Sequence, residues 1–204
     1  MIAQLTGIVV EANFTSVILD VNGVGYDLSI PLSTFDKLPP QGQKVTLKTV
    51  MAVRQDDIQL FAFYTDAEKA LFKMLTAEVS GVGPKVALSV LSSMPVSDFA
   101  SAIVSADIKL LSKISGVGKR TAERMVVELK DKVTHINAVS ASAVAPMASK
   151  DVPQEAQDAI SALETLGFKK DAASKVVLKL VEEAAPNVPS AESLIRKALS
   201  ALNS

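Results

Sequence analysis

Cysteine is absent from this chain of 204 residues, and histidine occurs once, at His135. Without cysteine there is no disulfide and no thiolate ligand for zinc, and one imidazole gives little scope for a histidine metal site or histidine-based catalysis. No apolar run approaches the roughly 20 residues that span a bilayer. Met1 to Val10 lacks a basic segment followed by a long apolar core, so no membrane contact is expected and the expected location is cytoplasmic. An excess of positive charge is missing too. A formal net charge of −1 excludes a cationic coat over the whole surface, so any nucleic-acid contact has to come from a local face.

What is present is ordinary core material, 49% apolar and 21% charged residues, enough for one domain or several small ones. The charge is not spread evenly. Residues 1–63 carry four basic and six acidic side chains, 64–133 carry ten and eight, and 134–204 carry seven and eight. Only the middle segment is net positive.

That segment also holds a duplication. Ser-Gly-Val-Gly occurs at Ser80 to Gly83 and again at Ser115 to Gly118, 35 residues later. Upstream, Leu71, Phe72, Met74 and Leu75 in one copy, and Ile108, Leu110, Leu111 and Ile114 in the other, have helical spacing. Downstream, Val86, Ala87, Val90 and Leu91, and Ala122, Met125, Val126 and Leu129, resume it. Each copy therefore reads as helix, two-glycine turn, helix. Glycine tolerates positive φ and close backbone approach, so such a turn aims several N–H groups one way, at the positive end of a helix dipole. Those donors suit a phosphate. Pro84 fits a first helical turn, and Lys85, Lys119 and Arg120 put cations beside the turns.

Two nucleotide-binding patterns fail here. An ATPase phosphate loop needs glycine five residues before Gly118 and Ser or Thr after Lys119, where Lys113 and Arg120 stand. A dinucleotide fingerprint needs a third glycine at Val86 or Thr121, and neither turn follows a strand-like segment. No cofactor and no metal-ligand set are expected. The duplicated pair instead resembles tandem helix-hairpin-helix motifs, which grip nucleic-acid backbones without reading sequence. Ordinary turns between packed helices are the competing reading.

Along the chain, the spacing predicts strands over Ile2–Val10, Ser16–Val21, Val24–Ile30, Val45–Val50 and Gln59–Phe63, with a hairpin at Asn22-Gly23. Five strands in about 60 residues suit an oligonucleotide-binding (OB) barrel. Between the last two strands lies a charged tip, Ala52 to Asp57, whose adjacent carboxylates Asp56 and Asp57 find no third ligand nearby. Thr65 with Glu68 offers a capping box for the first helix of 64–133. Residues 134–153, rich in Ala, Ser and Val, read as a flexible linker. Residues 154–204 return to helical spacing as a three-helix bundle, similar to ubiquitin-associated (UBA) domains, in which Gly167 and Phe168 mark a hairpin. The expected class is multidomain α+β: barrel 1–63, tandem hairpins 64–133, linker 134–153, bundle 154–204.

This order resembles the RuvA family, DNA-binding subunits of the bacterial Holliday junction branch migration complex. The resemblance covers essentially the whole chain. It rests on Gly23, Val24, Gly25 and Tyr26, on Gly81 to Lys85, and on Gly116 to Lys119 followed by Thr121, Ala122, Glu123 and Arg124. It implies a homotetramer that holds a four-way junction open and square-planar. DNA backbone would be gripped by Gly81, Val82, Gly83 and Lys85, by Gly116, Val117, Gly118 and Lys119, and by Arg120 and Arg124. It implies an acidic pin near the junction centre, with Gln55 where the family usually has Glu, Asp56 matching by position and Asp57 displaced by one residue. It further implies that Leu163, Leu166 and Phe168 contact the hexameric ATPase RuvB, and it adds the resolvase RuvC as a candidate partner. Whether two tetramers close on the junction as an octamer stays open. No catalytic residue is expected. A DNA-repair hydrolase or ligase component and a non-DNA assembly scaffold are the competing function classes.

Overall fold

A computed structural model of the chain describes residues 1–130, 132–133, 153–184 and 189–202. They form two compact units, divided between Pro146 and Met147. The linker expected over 134–153 lies outside the described residues apart from Pro153, and so does His135.

Period-two burial builds the first layer. Strands β1 (Gln4–Ala12), β2 (Ser16–Val21), β3 (Val24–Ser29), β4 (Lys44–Val53) and β5 (Ile58–Phe63) close a barrel in the order β1-β2-β3-β5-β4. Only the β3–β5 contact is parallel. Leu5, Val9, Val17, Leu19, Leu28, Val45 and Leu47 alternate into its core. Gly7 lets β1 and β2 approach closely, because a Cβ there would lie 2.5 Å from the Asp20 carbonyl oxygen. At the β2–β3 turn, Asn22 and Gly23 take φ of 53° and 87°, the paired positive values of a type I′ hairpin. All five expected strands exist. β4 runs three residues past its expected end, which makes Ala52 and Val53 strand residues and confines the charged tip to Arg54–Asp57.

A one-turn helix, α1 (Leu32–Phe35), follows β3 and escapes periodicity because four residues carry no period. The middle segment folds as α2 (Asp66–Glu78), α3 (Pro84–Ser93), α4 (Val96–Val104), α5 (Ile108–Leu111) and α6 (Lys119–Leu129). The helix expected ahead of the second glycine turn shrinks to the single turn of α5. The Asp107 side chain caps its start, and Ile114 already belongs to the hairpin, accepting from the Val117 N–H at 3.0 Å.

Barrel and helices share a core. Phe61 and Phe63 of β5 face outward from the barrel and pack on Phe72 of α2, ring centroids 4.9 Å apart in both pairs. Leu71, Leu75, Leu91, Phe99, Ile103, Leu111, Met125 and Leu129 complete that cluster. The boundary expected at 63/64 therefore crosses continuous apolar packing.

One buried carboxylate joins the same elements. Thr65 and Glu68 form the expected capping box: the Glu68 N–H donates to Thr65 Oγ1 at 3.1 Å and the Thr65 N–H to Glu68 Oε2 at 2.9 Å. Glu68 also accepts from Ser33 Oγ at 2.8 Å, from the Tyr64 N–H at 3.1 Å and from Lys37 Nζ at 3.4 Å. Burial alone would raise its pKa, but the Ser33 and Thr65 hydrogen bonds and the Lys37 charge outweigh it and hold the carboxyl below its usual value.

The second unit packs α7 (Gln154–Thr165), α8 (Lys170–Ala184) and α9 (Ala191–Leu202) around Ala156, Ala159, Leu163, Ala173, Val177, Leu194 and Ala198. Three helices were expected here, and the last has the expected bounds.

The Glu68 network sets a stability prediction. Glu68→Gln removes a charge-assisted cluster and should lower unfolding free energy by about 1–3 kcal/mol at neutral pH. Because the folded pKa is depressed, this contribution is complete above the unfolded value near 4.5 and is lost as pH falls through the folded value. Denaturant titrations at pH 7 and at pH 3 to 4 should show the gap between parent and variant narrowing in acid. A gap independent of pH would contradict it.

Candidate nucleic-acid interface

The sequence duplication becomes a conformational one. Gly81 and Gly116 take φ of 86° and 83°, left-handed values that favour glycine. Two residues on, Gly83 and Gly118 are the N-caps of α3 and α6, both extended, with φ/ψ of −91°/177° and −82°/170°. Between them Val82 and Val117 are buried in the shared core. Their N–H groups point inward, donating to the Val79 carbonyl at 3.1 Å and the Ile114 carbonyl at 3.0 Å. Both valines, expected at the DNA backbone, thus have their side chains and N–H groups turned inward. They pin each turn to the core, and the surface between the helices is left to the glycines.

That surface is open in a telling way. Gly83 and Gly118 need no unusual φ, and a Cβ at either position would meet nothing within 4 Å. Neither the fold nor its packing therefore requires glycine there. Glycine suits an N-cap, and here it also leaves the backbone open to the approach of another molecule. Among the described residues, the Gly83 and Gly118 N–H groups meet no acceptor, and the first-turn N–H groups of α3 and α6 are unsatisfied as at any helix start. Lys85, Lys119 and Arg120 are exposed and make no ion pair among the described residues. Each turn thus presents aligned donors with a free cation beside it, a match for phosphate oxygens.

The two hairpins are bolted together by α6. Arg124 Nη1 donates to the Ser80 carbonyl at 3.3 Å, while Glu128 Oε2 accepts from the Ser80 N–H at 3.2 Å. Lys132, one turn further, pairs with Glu78 at the end of α2. Arg124 and Glu128, at i and i+4 of α6, thus hold the mouth of the first hairpin from the helix that opens at the second, and Lys132 adds a tie from just past its end. Gly116 adds a close approach, since a Cβ there would lie 3.3 Å from Val86 Cγ2 of α3. Arg124, expected as a supporting cation, spends at least one donor inside the protein. Glu128 was missed as a structural partner, although its spacing from Arg124 and Lys132, beside the apolar Met125 and Leu129, is visible in the sequence.

The acidic tip sits elsewhere. Arg54 to Asp57 cap the β4–β5 hairpin, closed by the Arg54 N–H donating to the Asp57 carbonyl at 2.8 Å. Asp56 at the apex is exposed, with no partner among the described residues, whereas Asp57 accepts from Gln59 Nε2 at 2.6 Å. In the bundle, the residues expected to meet a partner separate. Leu163 is fully buried, because its place on α7 faces α8 and α9, and it belongs to the core of the bundle. Phe168 is half-buried against the same core, and Leu166 is 60% exposed. Between them Gly167 has φ of 95°, the left-handed value also seen at Gly81 and Gly116.

A cleft of about 900 Å³ opens over Glu68, between α1, the start of α2 and the α3–α4 connection, and none of the hairpin glycines lines it. Among the described residues no three His, Cys, Asp or Glu side chains converge as metal ligands, and no single helix is long and apolar enough to cross a membrane.

Comparison with known proteins matches this layout segment by segment. The family model described as RuvA N terminal domain matches residues 1–62, SAM-like Helix-hairpin-helix tandem matches 72–131, and RuvA, C-terminal domain matches 154–203. Similar proteins named Holliday junction branch migration complex subunit RuvA include one from Shewanella frigidimarina, 43% identical across 99% of this chain and 100% of its own. Another, from Geobacter metallireducens, is 43% identical over 99% of both chains. One from Dechloromonas aromatica is 45% identical over 85% of this chain and 87% of its own.

The glycines give a two-sided prediction. Gly83→Ala and Gly118→Ala should change folding stability by less than about 1 kcal/mol, as N-cap substitutions without clash. Each should weaken DNA binding about tenfold by blocking a charge-assisted contact. Gly81→Ala and Gly116→Ala should instead lower stability by about 1–2 kcal/mol through left-handed strain. Thermal unfolding and electrophoretic mobility shift measured on all four variants would check this, and unchanged DNA binding in the first pair would refute the close approach.

Proposed function

The chain belongs to the RuvA family of Holliday junction branch migration subunits, and from that footing we propose that it clamps the phosphate backbones of a four-way junction through its two glycine hairpins. The observation that carries this reading is the repeated hairpin geometry: identical turns, caps open to approach, and unpaired cations, locked together by α6 within one compact unit. Backbone N–H donors recognise a phosphate wherever it lies and ignore the base attached to it. Such contacts let DNA slide past, which branch migration requires, whereas base readout would hold one register.

The acidic tip supplies the complementary restraint. Asp56 at the apex raises the energy of any phosphate near it, so duplex is disfavoured at the centre and strands are steered outward. Four protomers around a fourfold axis would match the four arms, holding the junction open and square-planar, with two such tetramers able to enclose it. The bundle, a separate compact unit with Leu166 exposed and Phe168 partly so, is the surface for a RuvB-type ATPase motor, with the RuvC resolvase as a further partner. The chain itself is non-catalytic in this reading, the energy of branch migration coming from the motor. Its place of action is the cytoplasm, where bacterial chromosomal DNA lies.

The test compares a four-way junction, a fork and plain duplex of the same sequence in titrations at several salt concentrations. The junction should bind tightest, and Lys119→Glu with Arg120→Glu should lower its affinity about tenfold or more and flatten the salt dependence. Equal weak binding to all three DNAs would refute the reading. Ending the chain at Lys150 should leave junction binding intact and abolish stimulation of RuvB ATPase activity. Loss of DNA binding in that truncation would move part of the clamp into the bundle.

A further inference from the structure

The β4–β5 ribbon outruns its barrel. β4 is bonded to β1 only as far as Thr49, and β5 touches β3 only at the Ser29–Phe61 rung. Beyond these points, residues 50–53 and 58–60 form a two-stranded ribbon with no third strand on either side among the described residues. Its rungs are in register, Val50 opposite Phe61, Met51 opposite Leu60, Ala52 opposite Gln59 and Val53 opposite Ile58. Residues directly opposite share a face, and faces alternate along a strand.

One face of the ribbon is accounted for. Val50, Ala52 and Phe61 pack on the helical core. The other face continues the barrel interior outward: Thr49 and Ala62 are buried, Met51 and Leu60 are half-buried, and Val53 and Ile58 are 62% and 67% exposed. Interior-type side chains have been carried past the barrel rim, where the described residues leave them uncovered. Asp57 stays off this face. It belongs to the opposite face by alternation and is held there by Gln59 Nε2.

We propose that Val53 and Ile58 form an apolar wedge that packs against unstacked nucleobases at the crossing point of the DNA. This deepens the junction-binding reading and rests on it. Two branched aliphatic side chains at the end of a narrow ribbon are the kind of element that inserts at a base step. The adjacent Asp56 repels phosphate and has no quarrel with the neutral faces of bases, so the tip selects which part of the nucleotide approaches. A second copy of the chain is the weaker occupant. Two side chains fall far short of the roughly 1,200 Å² that a stable interface buries, and the pairing would bring Asp56 of each copy toward like charge.

The experiment uses the full chain and a four-way junction carrying 2-aminopurine beside the crossover, a base whose fluorescence rises when it unstacks. At protein concentrations that saturate the junction for each variant, the parent chain should raise the fluorescence. Val53→Ser with Ile58→Ser should lose that rise, and Val53→Leu with Ile58→Leu should keep it. An unchanged rise in the serine variant, with junction binding normal in the parent, overturns the wedge alone. Failure of the parent to prefer the junction over duplex overturns the wedge together with the reading beneath it. A serine variant that falls to a smaller assembly in light scattering also overturns the wedge, by showing that the face joins copies of this chain.

Discussion

A carboxylate removed from water must be matched by donors that cannot easily leave, and Glu68 is matched by two stretches of chain besides its own helix. Ser33 and Lys37 come from the segment around α1, Tyr64 and Thr65 from the end of the barrel, and Glu68 itself from α2. A tilt between barrel and helices would strip donors from a buried charge, while the Phe61–Phe72 and Phe63–Phe72 contacts oppose the same movement from the apolar side. The relation between the β4–β5 tip and the two hairpins is fixed by this joint. Without it, an acidic tip and a pair of phosphate grips would be three surfaces on two loosely coupled bodies, and steering of strands by one relative to the others would have no geometry.

Within the helical half, the corresponding constraint is the Ser80 peptide, held at its carbonyl by Arg124 and at its N–H by Glu128. Phosphates along a strand are regularly spaced, so two grips on one arm act together only if their separation is set in advance. Linking the mouth of one hairpin to the helix that opens from the other sets it with three side chains and one close glycine contact. In the proposed function, repetition of the turn supplies a second grip of the same chemistry. The α6 stripe converts two grips into one site with a defined spacing.

The strands, the Asn22-Gly23 turn, the capping box at Thr65 and the last helix were legible because each depends on local periodicity or on residues within four positions. What escaped depends on long-range contact. That Glu68 binds Ser33 as well as Thr65 cannot be read locally, since the partners lie 35 residues apart. The inward set of the two valines of the repeated turns is equally non-local, since anchoring a turn to the core depends on helices elsewhere in the chain. The burial of Leu163 was hidden for another reason: an apolar residue at helical spacing fits core and surface equally well, and packing against α8 and α9 sets its exposure. Missed, too, was the overrun of β4, because alternation continues through Val53 whether or not a barrel wall faces it.

A chain with net charge −1 gains no general attraction for DNA, and among the described residues its exposed hairpin cations without an ion pair are few, Lys85, Lys113, Lys119 and Arg120 among them. Each phosphate neutralised contributes a fixed increment to the salt-dependent free energy, so one protomer with so few free cations binds weakly by this route. In the proposed function, tight holding comes from several protomers engaging one DNA, each raising the effective concentration of the next. That requirement selects the target. A linear duplex lets only part of such an assembly engage, whereas four arms radiating from one point offer every protomer an equivalent backbone. Weak individual grips also release readily, so the arms remain free to slide while the assembly as a whole stays bound. In the proposed function, selectivity for a branched substrate and tolerance of its movement both follow from sparse charge repeated by symmetry.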